Sequence, residues 1–546
     1  MDFARILLLT ALFFTLYMIW QAWQEDYVRA TPAAQDQTAI IEQERDLPTA
    51  PVQHEMRDAT VADAPSIQHM EQSQRIRVRT DVFDLEIDSL GGDLRRVDLL
   101  RYPVSIKEPE NLVRLMDDGR GNFFIAQAAL LPAAGSDSPA PNHHQRFVAS
   151  QDEYRLQEGE DSLEVRLSWE DESGVRVDKI YTFHRGKYVI DVDFEVHNQS
   201  DQEWQGHVYR QLQRGDVQDD SSWFIYTYTG AVIYSQEEKY EKISFKDIAG
   251  RDLSRDVEGG WAAMIQHYFL GAWIPPQEEV SNFYTRSPGG NRYIIGMVGQ
   301  PQRVMPGEQQ RFGSQLFVGP KLQDQMREVA AGLHLTVDYG MLTIISAPLF
   351  WLLKHIYAII GNWGWAIIVL TILIKLVFYK LSETSYKSMA HMRKVQPKLM
   401  ELKERYGDDK QKLNEAMMRM YKEEKINPLG GCLPILVQIP VFIALYWMLL
   451  ESVEMRQAPF MLWIQDLSSP DPWFVLPILM GVTMLIQHKL NPTPLDPIQA
   501  RVMMILPIAF TFFFLFFPAG LVLYWVVNNI LSIAQQYYIT RYVVKA

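Results

Sequence analysis

Lys375 sits near the end of an otherwise apolar run, Trp363 to Tyr379, and Thr371 precedes it by one helical turn. An ammonium group in hydrocarbon costs about 2.5 to 3.5 kcal/mol on insertion scales, so a chain that keeps one there usually has a use for it. Three readings are open. A fixed positive charge draws acidic or polar chain toward itself. A lysine beside a hydroxyl is alternatively the general base of a membrane-embedded Ser/Thr-Lys peptidase of the signal-peptidase type, although no Ser-rich catalytic loop accompanies it. In the inert reading, Lys380 marks an interface only about 7.5 Å of helix away, and the stem of Lys375 snorkels to it.

Little else in the chain offers catalysis. Cys432 is the single cysteine, which excludes an intramolecular disulfide and a multi-cysteine metal site. There is no GxxxxGK[ST] phosphate loop and no HExxH pair, so neither a nucleotide motor nor a zinc peptidase is expected. The expectation is no enzyme, no catalytic residue, no metal, no cofactor and no direct nucleic-acid readout. The 546 residues are 48% hydrophobic with a formal net charge of -14, too apolar in places and too acidic in others for one uniform domain.

The elements that must position Lys375 follow from the apolar runs. Arg5, the run Ile6 to Trp20 and the acidic pair Glu25 and Asp26 read as a signal anchor with its N-terminus inside. A cleaved signal peptide is disfavoured by the bulky Gln21-Ala22-Trp23-Gln24. Ala30 to Ser73 is rich in Ala, Pro, Gln, Asp and Thr and reads as a flexible exported linker. Between Arg75 and Val318, period-two alternations recur, as in Ile76 to Arg79, Phe83 to Ile87 closing at Gly91-Gly92, Leu163 to Leu167 and Tyr188 to Phe194. These predict antiparallel sheets in a large β-sandwich. Aromatic stretches such as Trp223 to Tyr228 read as core, with a sugar- or peptide-binding face as the alternative.

Past Ala330 charge counts the crossings. Met341 to Ile360 is interrupted by Pro348, Lys354 and His355, while Lys380 to Lys425 carries twelve Lys/Arg against eight Asp/Glu and belongs inside. An odd number of crossings must then separate this stretch from the exported domain, so Met341 to Ile360 is expected to lie along the interface and Trp363 to Tyr379 to span. Leu433 to Leu450 leads out to the acidic loop of Glu451, Glu454, Asp466 and Asp471, and Trp473 to Ile486 leads back to Lys489 and Arg501. Val502 to Ile539 is too long for one crossing and breaks at Pro518-Ala519-Gly520. The count is six spans, five of them in the core, with both termini inside. The inner stretch reads as a helical hairpin: Met389, Met392, Gln396, Leu399, Leu402 and Tyr406 form one stripe, and Leu413, Met417 and Met420 resume it. Gly407 fits a left-handed C′ position, Asp408 an N-cap, and Pro397 a kink.

Asn427-Pro428-Leu429-Gly430-Gly431-Cys432-Leu433-Pro434, Gln438-Ile439-Pro440, Arg456-Gln457-Ala458-Pro459-Phe460 and Phe517-Pro518-Ala519-Gly520-Leu521-Val522-Leu523-Tyr524 resemble the YidC/Oxa/Alb family of membrane protein insertases, in its Gram-negative form. The resemblance covers the membrane half in order. It implies an inner-membrane protein that inserts and helps fold integral membrane proteins, alone or beside the Sec translocon, with a periplasmic β-supersandwich and without ATP hydrolysis. It implies nascent membrane proteins, ribosomes, the Sec translocon and membrane lipids as partners. It further implies a hydrophilic groove of Lys375, Thr371, Gln438, Trp525 and Asn528, and a substrate-guiding apolar face of Ile439, Pro440, Phe442 and Phe513. Many family members carry arginine at the position of Lys375; lysine keeps the charge and loses the bidentate fork.

The plan that results is an anchor at residues 1-24, a linker at 25-74, a β-domain at 75-330, an interfacial helix at 331-362, and an insertase core at 363-546 that contains the cytoplasmic hairpin 380-427.

Overall fold

The computed structural model describes residue 48 and residues 73-119, 121-216, 227-407, 409-424, 433-491 and 497-544. The expected anchor, nearly all of the linker, Trp223 to Tyr226, Asp408 and Asn427 to Cys432 lie outside the described residues. The chain forms two compact units, an all-β one and a helical one, which meet in sequence at Asp338 and Tyr339.

In the β-unit the described residues form one eleven-stranded and one nine-stranded sheet. Each alternation singled out above is a strand: Arg75–Arg79, Phe83–Asp88, Ser162–Glu170 and Val189–Asn198. The larger sheet is centred on Trp204–Gly215, between Phe124–Pro132 and Arg292–Val298. The smaller is centred on Gln309–Pro320, between Val189–Asn198 and Phe269–Ile274. Pairing is antiparallel except where Arg75–Arg79 runs parallel to Glu153–Arg155. Two short helices, α1 (Phe245–Gly250) and α2 (Gln323–Val329), flank the sheets.

Trp204, Trp261 and Trp273 are fully buried, and their indole N–H groups donate to the carbonyls of Pro139 (2.8 Å), Ala331 (3.0 Å) and Gln211 (3.0 Å). These aromatic side chains therefore fill core. The sandwich also encloses a cation. Lys179 is 0% exposed and donates to the carbonyls of Ala128 (2.6 Å) and Gly91 (3.0 Å) and to the Asp93 carboxylate (3.4 Å). Tyr181 donates to Gly92 at 2.6 Å, so both glycines of the first turn are held from the opposite sheet. Burial pulls the Lys179 ammonium down to about 8, against the attraction of Asp93.

The helical unit contains α3 (Thr343–Ile360), α4 (Trp363–Val377), α5 (Tyr379–Tyr406), α6 (Lys410–Glu423), α7 (Leu433–Glu451), α8 (Val475–Leu490), α9 (Pro497–Phe513) and α10 (Ala519–Tyr538). Helix α10 packs on α4 and α8, α8 on α9, and α3 on α4. Gly481 of α8 lets Thr511 of α9 approach so closely that a methyl group at Gly481 would meet the threonine hydroxyl. Among the described residues, Gly340–Ile360 is the one helix long and apolar enough to cross a membrane; α4 and α5 qualify only as a pair bent by 67°. The expected interfacial helix is thus one whose length and composition also admit a crossing.

Between α7 and α8 an ordered loop gathers helix N-termini. The Asp471 carboxylate accepts from the backbone of Leu476 (2.7 Å) and Trp473 (3.0 Å) and from the Trp463 indole (2.9 Å), while the two indoles stack. Ser469 and Leu467 offer their carbonyls to the N–H groups of Ala519 (2.8 Å) and Gly520 (2.9 Å) at the start of α10. Asn362 caps α4 through Trp365 N–H and donates to the Phe460 carbonyl at 2.9 Å. Helix donors that have no partner within their own helix are satisfied here.

The basic stretch folds as α5 and α6, joined by Val395, Leu399 and Met420 with Met392, Leu402, Met417 and Tyr421 around them. Three local details differ from expectation. Helix α5 runs through Pro397 without interruption, Gly407 is right-handed at φ -55°, and Asp409 caps α6 by accepting the Lys412 N–H at 3.1 Å. An exposed helix forgoes one backbone bond at proline more cheaply when its packed stripe lies on the other face.

Candidate functional site

Lys375 is carried on α4 at the same turn as its buried neighbours Thr371 and Ile374, and the ammonium group is drawn inward. The residue is 4% exposed, so its stem does not run out to a surface. Its Nζ donates to Ser532 Oγ on α10 at 2.7 Å, and that hydroxyl donates in turn to the Asn528 carbonyl at 2.7 Å. Tyr386 of α5 approaches the same hydroxyl. Among the described residues no carboxylate lies within 4.0 Å of the ammonium. A charge paired only with neutral dipoles keeps its field.

Thr371 is 1% exposed and its hydroxyl donates to the Ile367 carbonyl at 2.7 Å, one turn back on its own helix. That bond engages the hydroxyl with backbone and leaves no Lys-Thr hydrogen bond of the kind a peptidase dyad needs. Asn528 joins the site through its main chain. Trp525, half-buried on α10, meets Phe442 of α7 edge to face at 4.4 Å and Phe514 at 5.0 Å. Gln438 and Pro440 are half-buried on α7, and Ile439 is exposed. Phe513 is exposed at the end of α9 and packs on Phe517 at 4.7 Å. The structure therefore joins Lys375 to Asn528 through Ser532, and Trp525 to Phe442. No hydrogen bond links Gln438 to the lysine among the described residues.

Polar groups that sequence reasoning did not single out continue along α10. Asn529 donates to the Thr483 hydroxyl at 3.2 Å, and Gln536 donates to the Leu490 carbonyl and the Asn491 side chain at 3.1 Å each. Ser532, Asn529 and Gln536 stand three and four residues apart, so one face of α10 is polar within an apolar bundle. That spacing was available in the sequence as Asn529-x-x-Ser532-x-x-x-Gln536. Such an arrangement can act on a chain segment through field and hydrogen bonds; the hydroxyl beside the lysine, that of Ser532, gives its proton to the Asn528 carbonyl and not to the amine.

Residues 75–352 match the family model described as the YidC periplasmic domain, and residues 355–546 match that of the 60Kd inner membrane protein. The chain is 55% identical over 560 residues to the membrane protein insertase YidC of Thioalkalivibrio sulfidiphilus strain HL-EbGR7, covering 100% of this chain and 99% of that protein. It is 56% identical over 547 residues to that of Alkalilimnicola ehrlichii strain ATCC BAA-1101, covering 99% and 96%. It is also similar to a solved active YidC insertase with its first transmembrane domain resolved, at 19% identity and a TM-score of 0.40, covering 85% of this chain and 92% of that one. The peptidase alternative finds no support among these relatives.

Proposed function

The chain belongs to the YidC family of membrane protein insertases, and on that premise we propose how its own residues carry out insertion. It is an inner-membrane protein with a periplasmic β-domain, and it inserts integral membrane proteins. The observation that carries the mechanism is the buried Lys375 ammonium, held by the neutral Ser532 hydroxyl.

Polar chain is expensive in hydrocarbon because each unsatisfied backbone group costs several kcal/mol. A positive charge inside the bundle lowers that barrier for an acidic or polar tail, and no fuel is consumed. The groove consists of Lys375, Thr371, Gln438, Trp525 and Asn528, now joined by Ser532. The exposed Ile439 and Phe513, with Pro440 and Phe442, guide the apolar segment into lipid. The chain crosses six times with both termini in the cytoplasm, along the domain boundaries expected from its sequence. The basic α5–α6 hairpin lies on the cytoplasmic side, where its lysines and arginines suit a ribosome, the Sec translocon or anionic lipid. Its charge balance supports that placement.

Lys375→Glu should reduce insertion of a single-span client with an acidic tail by at least about tenfold, since the reversed field repels it. Lys375→Arg should insert nearly as well as the parent chain. Normal insertion by the glutamate variant would overturn the mechanism.

A further inference from the structure

The strand Gln309–Pro320 has an open edge on one side. Val318 N–H donates to the Tyr188 carbonyl and Asn198 N–H to the Glu308 carbonyl, so the even-numbered residues of this strand bond toward Val189–Asn198. Its odd-numbered residues therefore face the other way. There Phe269–Ile274 pairs only with Gln315 to Pro320, and the chain then turns off at Pro275-Pro276. Arg311 N–H and C=O and Gly313 N–H are left with no strand partner among the described residues. The Gly313 carbonyl is held instead by Arg210 Nη2 at 3.2 Å. Arg210 is fully buried, and its Nε and Nη1 find no acceptor among the described residues.

A recess of 680 Å³ opens along this edge, lined among others by Asp191, Asp193, Ile274, Arg311, Gly313 and Val329. A second of 630 Å³ adjoins it at Pro276 and contains Glu278 and Glu279. Gly313 keeps the floor low: a Cβ there would stand 2.7 Å from an Asp193 oxygen. Asp193 pairs with Arg311 at 2.6 Å, Asp191 takes His184 and Gln315, and Glu279 accepts the Gln300 N–H. Asp193 thus faces the exposed guanidinium of Arg311, Glu279 is the carboxylate whose charge reaches the buried Arg210, and Asp191 and Glu278 complete the acidic lining of the two recesses. Two prolines and a charge are enough to blunt an edge against aggregation. They do not require a glycine floor, an acidic rim or a buried arginine short of acceptors.

We propose that this edge takes up an extended, basic segment of an exported client chain as an added strand. The incoming main chain meets Arg311 and Gly313, its carbonyls enter the field of Arg210, and its basic side chains meet Asp191, Asp193, Glu278 and Glu279. The client as the source of the segment rests on the insertase function; the strand addition does not.

The test uses the full-length chain in nanodiscs and a fluorescent peptide of about nine residues, one strand in length, alternating Lys and Val. A Glu/Val peptide is the control. The basic peptide should bind at least about tenfold more tightly than the acidic one. Hydrogen exchange at the Arg311 and Gly313 amides should slow on binding. Gly313→Pro, which removes one edge donor while its Cβ also pushes Asp193 aside, should weaken binding by about tenfold, and Gly313→Ala, which adds the Cβ but keeps the donor, separates the two effects. Asp191→Asn with Asp193→Asn should abolish the preference for the basic peptide, and it decides the matter if the proline variant does not fold. Equal affinity for the two peptides, or binding without slowed exchange at these amides, would overturn the proposal. So would protection present before peptide is added and lost when residues 25-72 are deleted, because the occupant is then the chain's own linker.

Discussion

Ser532 is what makes Lys375 an internal residue. Without that hydroxyl, 2.7 Å away, the ammonium has no hydrogen-bond partner among the described residues, and a long stem is free to seek the interface. Ser532→Ala should therefore cost about 1-3 kcal/mol of stability, read as a lower Tm of the detergent-solubilised chain. It should also weaken insertion of acidic-tailed clients, and Ser532→Thr should restore both. Lys179 makes the corresponding case in the β-unit. Its folded-state value of about 8 lies below the ordinary 10.5, so between those values the unfolded chain holds more protons and stability rises with pH. The Tm of the β-unit should climb from pH 8 to 10, and Lys179→Met should make that climb shallower while lowering Tm throughout, the remainder coming from the buried Lys321, which burial also pulls down to about 8. Tyr181 and Tyr188, whose phenols burial pushes up, act with the opposite sign only above pH 10. Of the two lysines, Lys375 was legible in sequence because an apolar run isolates it. Lys179 was not, since it occupies one position of an ordinary alternating strand. The polar spacing that includes Ser532 was legible, but its partner was not: a helix hydroxyl acquires one only when α10 packs on α4, and nothing local encodes that choice.

Among elements, period-two strands and apolar helices were readable because each needs only a few neighbouring residues to declare itself. The break before Ala519 and the stripe of the α5–α6 hairpin were read correctly to within a few residues. The hairpin's ends were not, because Asp408 and Asp409 are equally good caps in sequence and only the helix phase selects Asp409. The turn at Gly91-Gly92 is more strictly determined. Gly91 has φ +75°, and a methyl group there would lie 2.6 Å from the His143 carbonyl. Gly91→Ala should destabilise the β-unit by at least about 1-2 kcal/mol through the left-handed conformation alone. Urea unfolding of the purified chain measures it, and an unchanged midpoint would mean that the turn re-forms without strain.

At the scale of the molecule, composition announced two unlike halves, and the chain indeed forms two units. Their division at Asp338 lies past the expected end of the β-domain because the alternating stretch Leu333 to Asp338 folds as a short 3-10 turn, Leu333–Thr336, that belongs to the β-unit. The proposed groove residues lie on helices distant in sequence, so grouping them rested on family resemblance and not on spacing; the structure joins Lys375 to Asn528 through Ser532. All of them belong to the helical unit. A chain lacking residues 60-320 should therefore still insert a single-span client with a short acidic tail, and loss of that activity would assign part of the reaction to the β-domain.

The loop that carries Trp463, Asp471 and Trp473 fastens the beginnings of α4, α8 and α10 to a common point. Helices tethered at one extremity behave like the ribs of a folding fan: whatever angular freedom they have is expressed as displacement far from the rivet. Breathing of this bundle should then be greatest at the end where Lys375 and Gln536 sit, the end to which the proposed mechanism brings its passenger.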